Sequence, residues 1–231
     1  MCHVEVEYTS ASSSRSTDCV AMAQSNDVEP KNKSTSLWSF LLKWLIGDPE
    51  EAVPDPVTGL SVRDRNYIID TWILIRRDIR VTSTSMFVAL FARYPDYQRL
   101  FERFANVPLQ ELPRNEVVKA HALAVFYFYT NIVDGMDDPD LLTELVRKNV
   151  RNHLRRPMGP QHYANMDEVL LEVIKDKLRS RMSPGAVRAW KKLFGYCHKV
   201  THQVYAEHRR AIDMGKPYGI LSPPLQKSPE Q

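Results

Sequence analysis

Apolar side chains recur every three or four residues from about residue 60 to residue 210, a spacing typical of helices that bury one face. Five stripes can be followed along this segment. They comprise Ile68, Ile69, Trp72, Ile75 and Ile79; Met86, Phe87, Leu90, Phe91 and Tyr94; Val117, His121, Val125, Phe128 and Ile132; Leu142, Val146, Asn149 and His153; and Val187, Trp190, Phe194, Cys197 and Val204. A further helix is predicted from Tyr163 to about Leu178, and no alternating run is long enough for a strand. The pattern predicts an all-α domain.

Helix-capping residues mark where several of these helices begin. Ser61 precedes the first stripe with Asp64 three residues later, which is the spacing of a capping box. Asp138-Pro139 and Ser183-Pro184 each place a capping side chain before a proline at the first helical position. These signals predict helix starts at all three places.

Residues outside this domain have a different composition. Residues 1–36 hold eleven Ser or Thr and few large apolar residues, which predicts a disordered tail. Residues 37–47 (LWSFLLKWLIG) form a short amphipathic apolar segment, too short to span a bilayer. We expect it either to dock on the domain or to contact a membrane surface or a partner protein. Residues 48–59 form a proline-rich linker, the domain spans 60–210, and 211–231 form a second disordered tail.

Composition excludes several classes of function. The chain of 231 residues has only 8 glycines and contains no GxGxxG or GxxxxGK[ST] motif, so a dinucleotide or P-loop enzyme is not expected. A net charge of +3 without a basic run gives no reason to expect nucleic acid binding. Three widely spaced cysteines and the absence of a signal peptide predict a cytoplasmic protein without disulfides.

Two histidines interrupt the apolar stripes. His121 lies in a stripe of Val, Phe and Ile residues, and His153 ends the stripe of the next helix. Both side chains are therefore predicted to point inward. A single inward histidine is usually a hydrogen-bonded core residue, whereas two on neighbouring helices suggest a shared metal or cofactor.

The segment from about residue 60 to 205 resembles a globin. The resemblance rests on an ordered set of positions rather than on any one of them. The set comprises Leu60-Ser61, Trp72, Phe91, Pro95, the segment LFERF at 100–104, VKAH at 118–121, Val125, NHLRR at 152–156, Tyr163 and Trp190. Ser83 and Ala122 stand where globins commonly have glycine at a helix crossing.

The resemblance implies a three-on-three sandwich of seven or eight helices around one haem b. His153 would be the proximal iron ligand, and His121 the distal residue that stabilises O2 or binds the iron itself. Phe101 would pack on the porphyrin, Val125 and Phe87 would limit the distal pocket, and Tyr163 would be a further cofactor-binding residue. Arg155 or Arg156 could pair with the haem propionates.

Three functions remain open from the sequence. The first is reversible binding of O2, with NO and CO as further ligands, for oxygen storage, supply or sensing. The second is a haem protein with both His121 and His153 on the iron, acting as a redox sensor or as an NO dioxygenase-type enzyme. The third is a haem-free helical interaction module. An enzymatic role and the oligomeric state are left undecided.

The remaining polar candidates are predicted to have structural or surface roles. His198 and His202 form an HxxxH pair without an intervening glutamate, and we expect a solvated helix face there. His162 is expected at the surface, and Cys197 in the core.

Overall fold

The structure, a computed structural model, describes residues 52–215. The predictions for the tail at 1–36 and for the amphipathic segment at 37–47 therefore lie outside the described residues. The same is true of the linker before residue 52 and of the second tail beyond residue 215.

Seven α-helices make up the described part of the chain. They are α1 (Val62–Arg76), α2 (Ile79–Arg93), α3 (Pro95–Gln98), α4 (Glu116–Asp134), α5 (Pro139–His153), α6 (Pro160–Leu178) and α7 (Pro184–Asp213). Short 3-10 helices lie at Leu112–Arg114 and Arg179–Arg181. Between residues 52 and 215 there is no strand, only an isolated bridge between Pro54 and Ser61, so the all-α prediction is confirmed. No helix in this range is long and apolar enough to cross a membrane.

The three predicted capping sites are confirmed. The Ser61 hydroxyl accepts from the Asp64 amide at 3.1 Å, while the Asp64 carboxylate accepts from the Ser61 amide at 3.0 Å. Asp138 accepts from two amides at the start of α5, and Ser183 accepts from the Ala186 amide at the start of α7. Each cap satisfies amides that a helix leaves without partners.

The residues before α1 form an ordered turn. The Asp55 carboxylate accepts from the Val57 and Thr58 amides, and Gly59 takes a φ of +72°, which favours glycine. The turn leads directly into Leu60, which is fully buried. At the other end of the domain, α7 continues to Asp213, three residues beyond the predicted boundary at 210.

The first apolar stripe is divided between two helices. The sequence places Ile69 and Ile79 in one stripe with Ile68, but α1 ends at Arg76 and Ile79 begins α2. Ile69 is 38% exposed, so its predicted inward position is wrong. No proline or glycine marks the break at Arg77–Asp78, which is why the pattern alone did not reveal it.

An aromatic core holds α1, α4 and α7 together. Trp72 stacks on Phe126 with ring centroids 5.6 Å apart, and it meets Trp190 at 5.7 Å. The Trp72 indole N–H donates to Thr130 Oγ1 at 3.1 Å, and the Trp190 N–H donates to Thr71 Oγ1 at 2.9 Å. Both indoles are therefore buried with their single donor satisfied.

Small residues lie on the helices that pack beside this core. Ser83 on α2 and Ala122 on α4 are both fully buried, and these two helices pack against each other. Side chains of this size allow two helices to approach closely, although neither residue is glycine.

Candidate cofactor cavity

A cavity of about 250 Å³ lies between α4, α5, α6 and α7. All six residues that the sequence nominates for a cofactor site line it. They are Phe87, Phe101, His121, Val125, His153 and Tyr163. The walls are mostly apolar, with a few polar side chains that converge on the space, which is the usual character of a ligand site. The fold thus brings together positions that are 76 residues apart in the chain.

His121 lies on α4 among aromatic rings. Its imidazole meets the edges of Phe87 and Phe101 with ring centroids 5.2 and 4.9 Å apart. Burial, together with the positive charge of Arg156 and the nearby His153, lowers the pKa of His121 to about 4. The imidazole is therefore neutral near pH 7, with one nitrogen free to donate and the other free to accept or to bind a metal.

His153 closes α5 and is held by its own helix. Its Nδ1 lies 2.7 Å from the Asn149 carbonyl oxygen. A carbonyl can only accept, so Nδ1 carries the proton and Nε2 keeps its lone pair. Burial lowers the pKa of His153, although the Asn149 hydrogen bond works in the opposite direction. The group that orients this ring is therefore the Asn149 carbonyl.

Aromatic rings form one wall of the cavity beside His121. Phe101 and Phe104 stack at 4.9 Å, and Phe91 meets Phe101 at 5.5 Å. Phe101 lies in the connection between the short helix α3 and α4. Tyr163 lies on the other side, with its ring 6.0 Å from His153. His121 and His153 are thus each flanked by an aromatic residue.

The rim of the cavity carries positive charge. Arg156 is exposed, lines the cavity, and also lines an adjoining depression with Arg103 and Arg155. The depression also includes His121, so the three arginines lie on the side of the cavity where His121 is found. Such a rim suits negatively charged groups at the edge of an apolar ligand.

His162 does not have the surface position that the sequence predicted. It lines the cavity and stacks on Tyr97 with ring centroids 4.5 Å apart. Its Nδ1 accepts from the Gly159 amide at 3.0 Å. The corner after α5 folds this side chain back because Gly159 precedes α6 and His162 completes its first turn. Cys197, predicted in the core, also lines the cavity.

A polar cluster on the cavity wall was missed by the sequence analysis. The Tyr129 hydroxyl donates to Asp167 Oδ1 at 2.5 Å, and His198 Nε2 lies 2.7 Å from Asp167 Oδ2. All three residues line the cavity. The prediction of a solvated face for His198 is therefore wrong, whereas His202, one turn further along α7, is exposed.

The sequence carried a signal for this cluster. Asp167 shares a helix face with Leu170, Leu171 and Ile174, all of them buried. An acidic residue on an apolar stripe requires a partner, because an unpaired buried carboxylate is costly. The partner could not be named, since His198 lies 31 residues further along the chain.

Of the four histidines that line the cavity, His121 and His153 are the two that could hold the iron of a porphyrin. Within residues 52–215, no group of three or more His, Cys, Asp or Glu side chains could hold a metal ion by itself. The apolar walls, the free Nε2 of His153 and the cationic rim match a flat apolar group with a metal centre and acidic substituents.

Comparisons with known proteins agree with this description. A sequence model described as globin matches residues 84–201, just over half of the chain. The globin of Nerita albicilla is 28% identical over 138 residues, which cover 60% of this chain and 88% of that protein. The globin-2 A chain of Anadara inaequivalvis is 29% identical over 125 residues, covering 54% and 82%.

A solved structure is similar in fold. It is the crystal structure of a hexacoordinated haem protein from an anhydrobiotic tardigrade at pH 4. The TM-score is 0.62 at 22% identity, and the match covers 66% of this chain and 99% of that protein.

Proposed function

The chain belongs to the globin family, and we propose that it binds O2 reversibly at the iron of a haem b held in the cavity. Haem binding itself follows from membership of the family. NO and CO are further ligands in this proposal, and the role is oxygen storage, supply or sensing. The haem would supply an iron that binds a diatomic gas, and the size and polarity of the pocket would determine which ligands bind there.

His153 is the side chain we assign as the iron ligand. Two observations support it: the residue lines the cavity, and Asn149 holds the Nδ1 proton so that the Nε2 lone pair remains available. A hydrogen bond to the second nitrogen is what fixes tautomer and ring orientation in metal-ligating histidines. The hydrogen bond between His153 Nδ1 and the Asn149 carbonyl is the single observation on which the assignment of His153 rests.

His121 has the complementary part. As a neutral imidazole it can donate one N–H to a polar ligand in the cavity, because its pKa of about 4 keeps it uncharged near pH 7. Val125 and Phe87 line the same space and would set the size of the ligand that fits. Phe101 and Tyr163 would hold the faces of the haem, since each lies against one of the histidines.

Arg156 is the residue that we expect to neutralise a haem carboxylate. It lines the cavity and is exposed, so a carboxylate could pair with it while remaining in water. Arg103 and Arg155 line the adjoining depression and are the alternatives.

A gas titration tests the proposal. The reduced protein is exposed to O2 and then returned to an inert atmosphere while its visible spectrum is recorded. Reversible binding predicts one spectral change on exposure and full recovery on removal. Immediate and irreversible oxidation would contradict a role in oxygen storage or supply.

A second candidate function has both histidines on the iron, as in a redox sensor or an NO dioxygenase-type enzyme. It is favoured by the low pKa of His121, because a neutral imidazole offers a lone pair to a metal. The tardigrade protein that shares the fold is described as hexacoordinated. The test is the spectrum of the reduced, gas-free protein. A six-coordinate spectrum that becomes five-coordinate in His121→Leu supports this candidate, and a five-coordinate spectrum in the wild type removes it.

A further inference from the structure

The Tyr129–Asp167–His198 cluster has no part in the proposed function, yet it faces the same cavity. Asp167 is almost entirely enclosed, with 10% of its side chain exposed, whereas 28% of the His198 side chain is exposed. Both carboxylate oxygens of Asp167 accept a hydrogen bond, one from Tyr129 and one from His198. The cluster therefore connects a buried carboxylate to a partly accessible imidazole.

The arrangement fixes the orientation of His198. Its Nε2 faces Asp167, and its Nδ1 has no hydrogen-bond partner among residues 52–215. Asp167 is in turn held by the Tyr129 hydroxyl, which is itself buried. An imidazole with one nitrogen on a carboxylate presents the other nitrogen for proton exchange.

The electrostatics favour an extra proton on the pair. A buried carboxylate that accepts only from neutral donors leaves a net negative charge in an apolar wall, which is costly. Burial raises the pKa of Asp167, because its hydrogen bonds to His198 and Tyr129 offset only part of the lost solvation. Adding one proton to the Asp167–His198 pair removes the net charge.

Other titratable groups around the cluster do not supply this proton. Cys197 precedes His198 in α7 and lines the same cavity, and burial followed by the charge of Asp167 raises the pKa of its thiol. Burial and Asp167 likewise raise the pKa of Tyr129, so both groups stay protonated and neutral. The remaining titratable groups on the cavity wall are His121, His153, Arg156, His162 and Tyr163.

We propose that Tyr129, Asp167 and His198 form a proton-donating site on the wall of the haem cavity. Its ligand class is a small oxygen- or nitrogen-containing molecule that becomes a proton acceptor when it is bound in the cavity. In the transfer, the His198 Nδ1–H bond breaks and its proton goes to a lone pair of that molecule. At the same time the carboxyl proton of Asp167 moves from Oδ2 to His198 Nε2, so that the imidazole stays neutral and Asp167 becomes a carboxylate. His198 then regains a proton from water, while Asp167 and Tyr129 keep its orientation. This proposal rests on the proposed function in one respect, namely that the ligand is a molecule bound to the haem.

Infrared titration of the full-length, haem-loaded protein tests the proton site directly. A protonated carboxyl group has a carbonyl stretch that the ionised form lacks. We expect such a band to titrate in the wild type and to vanish in Asp167→Asn, but not in the neighbouring exposed-residue control Glu168→Gln. In His198→Leu the midpoint should rise by about one pH unit, a tenfold change in proton affinity, because a donor to the carboxylate is lost.

Two further variants separate the cluster from its surroundings. Tyr129→Phe should also raise the midpoint, since it removes the second donor, while the exposed control His202→Leu should leave it unchanged. If His198→Leu fails to fold, Tyr129→Phe and Asp167→Asn still decide the question. A carboxyl band that never appears while the protein is folded, or one that ignores both donors, would overturn the proposal in favour of a purely structural ion pair.

Carbon monoxide then reports whether the proton reaches the cavity. In the reduced protein exposed to CO, we expect the CO stretching frequency to depend on pH in the wild type and in Glu168→Gln. In Asp167→Asn, the part of this pH dependence that comes from the Asp167–His198 pair should be lost. Any pH dependence that remains is due to other cavity groups such as His121. A frequency that is identical in Asp167→Asn and wild type at every pH would contradict a donor facing the ligand. Missing haem absorbance would instead contradict the proposed function, whereas the infrared titration reads the carboxyl group with or without haem.

Discussion

Two regions that adjoin α4, the aromatic core and the cavity, differ in whether their buried polar atoms are hydrogen-bonded. In the aromatic core, Trp72 and Trp190 each donate their indole N–H to a threonine hydroxyl, and the rings fill the space between helices. On the cavity side, His153 uses one nitrogen and leaves the other free, and the helices leave a space between them. Filled volume with satisfied donors stabilises a fold, whereas open volume with unused lone pairs is available for binding.

Tyr129 lies on the border between these regions. Its ring packs on Trp72 at 6.3 Å and on Phe194 at 6.4 Å, so it belongs to the core. Its hydroxyl points to Asp167 on the cavity wall. The same helix therefore contributes to stability on one face and to the site on the other.

The largest stability effect is expected on the core side. Phe126 is fully buried and stacks on Trp72, whereas Phe128 on the same helix is half-buried and lines the cavity. We expect Phe126→Ala to cost about 3–5 kcal/mol and Phe128→Ala less than about 2 kcal/mol, because the second site has less packing to lose. Equilibrium denaturation of matched haem-loaded preparations measures both. Equal costs would remove the distinction between the two regions.

A smaller effect is expected from a single acceptor in the core. Thr71→Val keeps the shape of the side chain but leaves the Trp190 indole N–H without its partner. An unsatisfied buried donor costs about 1–3 kcal/mol. Thr82→Val is the matched control, because the Thr82 hydroxyl donates only to the Asp78 carbonyl within α2. If the two variants lose the same stability in denaturant titrations, the indole bond is not what distinguishes the core.

The smallest effect is expected at the start of α1 and depends on pH. Burial raises the pKa of Asp64, but hydrogen bonds from Lys192 and Ser61 outweigh it, so the net pKa lies below the ordinary value. A carboxylate of this kind stabilises the fold above its unfolded pKa of about 3.9 and loses that contribution as the pH falls through the folded value. Asp64→Asn should lower stability at pH 7 by about 1 kcal/mol.

The pH dependence provides the control for that variant. As the pH falls below about 4, the difference in unfolding free energy between Asp64→Asn and wild type should begin to shrink, and it should disappear only below the lowered folded pKa, where the wild-type carboxylate is protonated too. Asp96→Asn, which removes an exposed ion pair with Arg99, should show almost no difference at any pH. A constant gap between Asp64→Asn and wild type down to acid pH would contradict this explanation.

The sequence predicted the helices well where pattern and caps coincide. The starts at Ser61, Asp138 and Ser183 were predicted because their side chains act on amides three or fewer residues away. The break between α1 and α2 was not predicted, because neither Arg77 nor Asp78 is a helix-breaking residue such as proline or glycine.

The site, like the helices, was predictable only where the signal lies within one helix. His121 and His153 could be nominated because each interrupts an apolar stripe on its own helix. The Asp167–His198 pair could not, because it joins two helices whose relative rotation the sequence does not contain. Local periodicity reveals which face of a helix is buried, whereas pairing between faces requires the three-dimensional packing.

The central assignment is that His153 holds the haem in the cavity. Its most direct test is the absorption spectrum of the reduced, gas-free protein and of His153→Ala, with His202→Ala as an exposed control. Loss of a residue that only supports a metal ligand typically lowers metal affinity about 10- to 100-fold. Removing the iron ligand itself should lower haem affinity by more than that. We expect a haem Soret band in the wild type and in His202→Ala, and its loss in His153→Ala. Haem that stays bound with an axial protein ligand in His153→Ala would contradict it.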